Sequence, residues 1–146
     1  MKNIDVLSVK VVREKEVPFA EDLKFNSSTK VGEFLINYIG DNDREAIVVL
    51  LLDAQLNINA VHTVAIGTLS EVATHPREVF KLAVLKNAAS IILAHNHPGC
   101  SMIPSEADIQ LTKKMVEVGE LLRIKVIDHF IVSCDNYISL KEKDLM

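Results

Sequence analysis

Ser90-Ile91-Ile92-Leu93-Ala94-His95-Asn96-His97-Pro98-Gly99-Cys100-Ser101-Met102-Ile103-Pro104-Ser105-Glu106-Ala107-Asp108 is the stretch from which the fold is read. Residues 90–94 form a short apolar run behind one serine. That is the pattern of a strand buried on both faces in the middle of a sheet. Residues 95–104 hold two prolines and a glycine and predict a loop. From Ser105 to residue 122 the apolar residues Ile109, Leu111, Met115, Val116 and Val118, with Thr112, fall mostly on one side of a helix. A buried strand, a loop and an amphipathic helix therefore follow one another here.

The flanking segments extend the same architecture. Upstream, His75-Pro76-Arg77-Glu78 opens a helix whose apolar residues are Val79, Phe80, Leu82, Ala83 and Leu85, with proline at a favoured first position. Residues 45–52 and 58–66 read as two strands joined by a turn at 53–57, a hairpin. Ser27-Ser28-Thr29 offers N-caps for a helix carrying Val31, Phe34, Leu35 and Tyr38, stopped by Gly40. Residues 14–26, charged and containing Pro18, predict an irregular arm. Residues 4–12 alternate through Ile4, Val6, Val9 and Val11 and predict a strand. Downstream, residues 124–133 and 137–140 predict two strands around an Asp135-Asn136 turn. The order β-α-β-β-α-β-α-β-β predicts an α+β domain, a mixed sheet flanked by about three helices. Residues 1–43 are expected to pack as strand, arm and helix on a domain formed by residues 44–146.

Composition narrows the class. At 146 residues, 49% apolar and 25% charged, the chain is long and apolar enough for one core. Its longest apolar run, Ala46–Leu52, has seven residues, against about 20 for a bilayer span. The N-terminus has no apolar signal segment, so a cytoplasmic location is expected, with Cys100 and Cys134 as free thiols. Net charge is −4. The densest basic cluster, Lys113, Lys114, Arg123 and Lys125, is offset by Glu117 and Glu120. DNA binding by this chain alone is therefore not expected, nor is a membrane partner; a homo-oligomer is left open.

His95 and His97 can point the same way, because strand side chains repeat every second residue. Asp108, in the first turn of the next helix, is placed to join them. Two imidazoles and a carboxylate make a three-ligand site for one Zn²⁺ per chain with an open fourth position, the pattern of catalytic zinc. Ser105-x-x-Asp108 also reads as a helix cap, and both roles can coexist.

His-x-His, seven residues, then Ser-x-x-Asp resembles the motif of the JAMM zinc metalloproteases. Gly67-Thr68-Leu69, His75-Pro76-Arg77-Glu78-Val79-Phe80-Lys81, Asn87-Ala88-Ala89, His95-Asn96-His97-Pro98 and Asp128-His129 are similar to the RadC branch of JAB domains. The resemblance runs from about residue 44 to the end. It implies a JAB/MPN, cytidine deaminase-like architecture in a stand-alone domain, without the N-terminal helical domain of full-length RadC proteins. The family string His-Pro-Ser-Gly-Asp is replaced here by His97-Pro98-Gly99-Cys100-Ser101, so the loop chemistry differs while the ligand spacing holds.

The same resemblance implies roles. Glu45 matches the carboxylate that passes the proton of the metal-activated water, with Glu78 as competitor. Ser105 matches the serine that donates to the developing oxyanion. Asn96 is expected in a turn, and His62 and His75 as ordinary positions. Cys100 is expected beside the metal without binding it. His129 is open between partner of a ligand and buried or edge histidine. The function implied is a zinc-dependent metallopeptidase acting on a peptide or isopeptide substrate. The alternatives are a non-catalytic MPN-fold interaction module and a DNA-repair-associated factor.

Overall fold

The computed structural model describes residues 1–20, 22, 24–67 and 74–146. Helix α1 (Ser28–Leu35) widens into a π-helical turn over Ile36–Gly40. Then come β1 (Ala46–Leu52), β2 (Ile58–Ile66), α2 (Pro76–Leu85), β3 (Ser90–Asn96), α3 (Glu106–Leu122), β4 (Lys125–Val132) and β5 (Tyr137–Ser139). The strands form one mixed sheet in the order β2-β1-β3-β4-β5. Only β3 and β4 run parallel, joined by the α3 crossover; the other neighbours are antiparallel. This is the α+β, mixed-sheet fold with three helices that the sequence predicts.

The sheet has a core on each face. Alternate residues Val48, Leu50, Ile92, Ala94 and Phe130 meet Val31 and Leu35 of α1. Val49, Leu51, Ile91 and Leu93 meet Val79, Phe80 and Ala83 of α2 and Met115 of α3. Two covered faces explain why β1 and β3 are uninterrupted in apolar character: every residue of each is buried. A fully buried Val, Leu or Ile contributes roughly 1.5–3 kcal/mol relative to exposure, so these two strands supply a large share of the apolar stabilisation. Gly119 lets α3 approach the start of β4, since a Cβ there would lie 2.6 Å from the Ile124 carbonyl.

Two expectations are corrected. Residues 4–12 are not a strand; they are exposed, Ile4 by 93% and Val6 by 98%, and pair with no other described segment. Their alternation suits a strand, but with no neighbouring strand their exposed backbone groups bond water instead of a ladder. In contrast, β3 continues past residue 94 to Asn96, because His95 and Asn96 pair with Ile131 and Val132 of β4. Thr68 and Leu69 of the resemblance, and Glu21 and Leu23 of the expected arm, lie outside the described residues. Among the described residues, no helix is long and apolar enough to cross a membrane.

Register decides what faces α3. In β3, His95 shares its face with Ile91 and Leu93, the α2/α3 side; Asn96 shares the α1 side with Ile92 and Ala94. In β4 a bulge intervenes: Ile91 pairs with Val126, but Ile92 pairs with Asp128. One extra residue reverses the side-chain alternation downstream. As a result His129, not Asp128, lies beside Leu93 and His95 on the α3 side.

Candidate metal centre

His95 is carried by β3, His97 follows it by two residues, and Asp108 sits in the first turn of α3. The structure brings the three together: their nearest donor atoms all lie within 4.8 Å of one another. Nε2 of His95 is 2.9 Å from Nε2 of His97 and 3.2 Å from Oδ1 of Asp108. Nε2 of His97 is 3.3 Å from Oδ2 of Asp108. Ligand atoms of a tetrahedral zinc site with bonds of about 2.0–2.1 Å lie roughly 3.3 Å apart, so these separations are those of a nearly closed ligand set. His95 and Asp108 are buried, whereas the His97 side chain keeps 14% exposure. The cluster therefore opens to solvent on the His97 side.

Each ring is oriented by a hydrogen bond from its other nitrogen. On the His95 side a relay runs into α3. Thr112 Oγ1 donates to the Asp108 carbonyl (2.7 Å), and so accepts from Nδ1 of His129 (2.5 Å). Nε2 of His129 is then an acceptor and accepts a hydrogen bond from His95 Nδ1–H at 2.8 Å. His97 Nδ1 donates to the Ser101 carbonyl at 2.7 Å. The bonding pattern thereby assigns both tautomers: each Nε2 carries a lone pair aimed at the common centre. Two lone pairs 2.9 Å apart repel unless a cation, a proton or a metal, lies between them. The donor set fits a metal of the zinc type.

Electrostatics follow from this packing. Burial would raise the Asp108 carboxyl, but in the metal-free protein a proton taken up on Nε2 of His95 or His97 hydrogen-bonds to the carboxylate, which outweighs burial and holds it well below the usual carboxylate range. When His97 takes a second proton, on Nε2, the hydrogen bond this makes to Asp108 favours the charged ring and raises the imidazole above its ordinary value, and the charge of Glu45 adds to this. Burial, reinforced by His95, pushes His129 well below its ordinary value and keeps it neutral.

Asp108 is itself held by the start of α3. Ser105 Oγ accepts from the Asp108 N–H (3.1 Å), and Asp108 Oδ2 accepts from the Ser105 N–H (2.8 Å), a reciprocal capping box. The cap uses the Ser105 hydroxyl as an acceptor and does not use its hydrogen. Ser105 is exposed next to the cluster.

Glu45 precedes β1. Ile47 pairs with His95 and β1 and β3 are antiparallel, so the register carried two residues further sets Glu45 across from His97. The start of β1 is clamped by Asn96: its Oδ1 accepts from Ala46 N–H (2.7 Å), and its Nδ2 donates to the carbonyls of Arg44 (3.0 Å) and Asn42 (3.3 Å). Asn96 therefore holds the segment that carries Glu45, rather than a turn. Glu78 is half-buried on α2, where it bonds Lys81 and pairs with Arg77. His75 occupies the N-cap position of α2 without a capping bond from its side chain, and His62 lies on β2 opposite Val49. Cys100 lies outside the metal-type cluster, with its sulfur 3.9 Å from that of Cys134.

Sequence reasoning missed Thr112 as a polar partner, reading it only as part of the helix stripe. Its spacing was the available signal: one helical turn after Asp108, on the same face.

A family model described as "RadC-like JAB domain" matches residues 25–145. A "UPF0758 protein" of Finegoldia magna is 43% identical over 122 residues, 84% of this chain and 55% of that protein. One from Desulforamulus reducens is 46% identical over 106 residues, 73% of this chain and 47% of that protein. One from Histophilus somni is 38% identical over 129 residues, 88% of this chain and 57% of that protein. The chain spans about half the length of the curated relatives it matches. The match runs through β1, both histidines, Asp108 and His129, and the chain belongs to the RadC-like JAB domain family.

Proposed function

We propose that this domain is a zinc-dependent hydrolase of amide bonds, peptide or isopeptide. The observation that carries the reading is the convergence of His95 Nε2, His97 Nε2 and the Asp108 carboxylate, both rings fixed in the ligating tautomer, on one solvent-open point. His95, His97 and Asp108 would hold the zinc, which when bound would supply Lewis acidity to polarise a carbonyl and to lower the pKa of a water toward about 7.

The remaining chemistry falls to the chain. Glu45, whose charge already reaches His97, takes the water's proton and delivers it to the leaving amine. Ser105 offers its hydroxyl hydrogen to the carbonyl oxygen as negative charge develops there, while its lone pair continues to cap α3. Asn96 keeps Glu45 in place through Ala46 and Arg44. The His129–Thr112 relay keeps His95 from turning.

The test is zinc-dependent cleavage of a peptide and isopeptide library by the full chain. Wild type should turn over a member of the library and lose activity with chelator. Glu45→Gln should retain zinc and lose about 10²–10⁴-fold in rate, the usual worth of a positioned base. A non-catalytic interaction module would bind zinc and cleave nothing, and an unchanged rate in Glu45→Gln would remove Glu45 from the mechanism.

A further inference from the structure

We propose that Cys100 and Cys134 are a redox-modification site, whose disulfide pins the loop between β3 and α3 that carries His97 and Ser101. Both thiols are exposed, and their sulfurs lie 3.9 Å apart although 34 residues separate them in the chain. Closing to a bond of about 2.05 Å needs a shift of roughly 1.9 Å. Cys100 follows the turn after β3 and Cys134 lies in the β4–β5 connection, both exposed at the ends of neighbouring strands, where side-chain rotation and small loop shifts can close the gap.

The two turns are already registered by backbone hydrogen bonds. Cys100 N–H donates to the His97 carbonyl (2.9 Å), and His97 N–H donates to the Val132 carbonyl (2.8 Å) at the end of β4. The Cys134 turn closes through Ser133 N–H donating to the Asn136 carbonyl (2.8 Å). Cys100 has a left-handed backbone, φ 60°, which turns the chain toward Ser101.

The oxidant is a hydroperoxide. One cysteine, as thiolate, attacks the peroxide O–O bond, giving a sulfenic acid and releasing water or an alcohol. The second thiol attacks that sulfur, the S–S bond forms, and the sulfenic oxygen leaves as water. Two thiols and hydrogen peroxide become one disulfide and two waters. A dithiol reverses the reaction.

The functional consequence rests on the metal reading. Cys100 adjoins Ser101, whose carbonyl orients His97 through Nδ1. Fixing Cys100 to β4–β5 fixes that carbonyl, so the oxidised protein should release zinc to a chelator more slowly.

The experiment treats the full chain, stripped of metal, with stoichiometric hydrogen peroxide. Thiol titration and peptide mass mapping should find a Cys100–Cys134 disulfide within one chain, reversed by dithiothreitol and absent from Cys100→Ser and Cys134→Ser. Amide hydrogen exchange over residues 98–104 should slow by about tenfold or more on oxidation, in wild type alone. Two surviving thiols, intermolecular dimers, or over-oxidation of one cysteine without a crosslink would overturn the site. A disulfide with unchanged exchange would overturn the pinning. These readouts need no zinc, so failure to bind zinc would count against the metal reading and leave the disulfide standing.

Discussion

Nε2 of His129 accepts a hydrogen bond from Nδ1 of His95 across 2.8 Å, and the β4 bulge is what turns His129 to face it. Without the extra residue, Asp128 would occupy that side of the sheet. Asp128 instead works on the α1 side, where it accepts from Ser139 and from the backbone of His129 and Lys141. The relay from Thr112 through His129 to His95 is thus built by a local irregularity in the strand.

Thr112→Val nearly preserves volume but removes the acceptor for His129 Nδ1–H. Partners that orient metal ligands are typically worth 10–100-fold in affinity, so zinc binding should weaken by about tenfold. His129→Ala removes the relay entirely and should weaken it by about 10²-fold. Competition with a chromophoric chelator measures both, with circular dichroism to verify the fold. Wild-type affinity in Thr112→Val would mean that the relay does not set the His95 tautomer.

Asn96 acts on the other face. Asn96→Ala leaves the buried Ala46 N–H without its acceptor, which costs about 1–3 kcal/mol in stability. It also releases the segment carrying Glu45. Urea denaturation should register the loss, zinc affinity should stay within a few-fold, and turnover should fall. Loss of zinc in parallel with turnover would place Asn96 in support of the ligands instead.

In the proposed zinc site, protons and metal would compete for His97. Its imidazole is raised by Asp108, so in the metal-free protein it holds a proton to a higher pH than an ordinary histidine. Zinc affinity should therefore begin to fall while pH is still above about 6.5, by at most about tenfold per pH unit for one proton displaced. The metal-free fold carries a second, opposite dependence. The His97 contribution is fully present below about 6.5 and is lost as pH rises through its elevated value. His129, lowered by burial, contributes stability above about 6.5 that is lost as pH falls below it, since the unfolded chain takes a proton the fold refuses. In His97→Ala the His97 contribution is gone while that of His129 remains, so stability should rise with pH just below about 6.5. Calorimetry across pH 5–8 checks the sign; a fall would contradict it.

The strongest periodicities in the sequence were the most readable. β1 and β3 were legible because two covered faces demand unbroken apolar runs, and the helices because their apolar stripes repeat with the helical turn. His95, His97 and Asp108 were legible because a two-residue strand period and a helix first turn suffice to place them together. Three features were not. The bulge in β4 has no composition signal, so whether His129 or Asp128 faces α3 was not readable. The role of Asn96 depends on pairing with residues 42–46, about 50 positions away. Residues 4–12 satisfy a strand pattern, yet local pattern does not supply the neighbouring strand that makes one.

The central claim is that His95, His97 and Asp108 hold one zinc ion, and metal content tests it most directly. Full chain purified without chelator, or reconstituted with zinc and desalted, should carry about one zinc per chain by inductively coupled plasma mass spectrometry. His95→Ala/His97→Ala, and separately Asp108→Ala, should carry essentially none while retaining helix and sheet content by circular dichroism. A folded double-histidine variant that keeps full zinc would contradict the account.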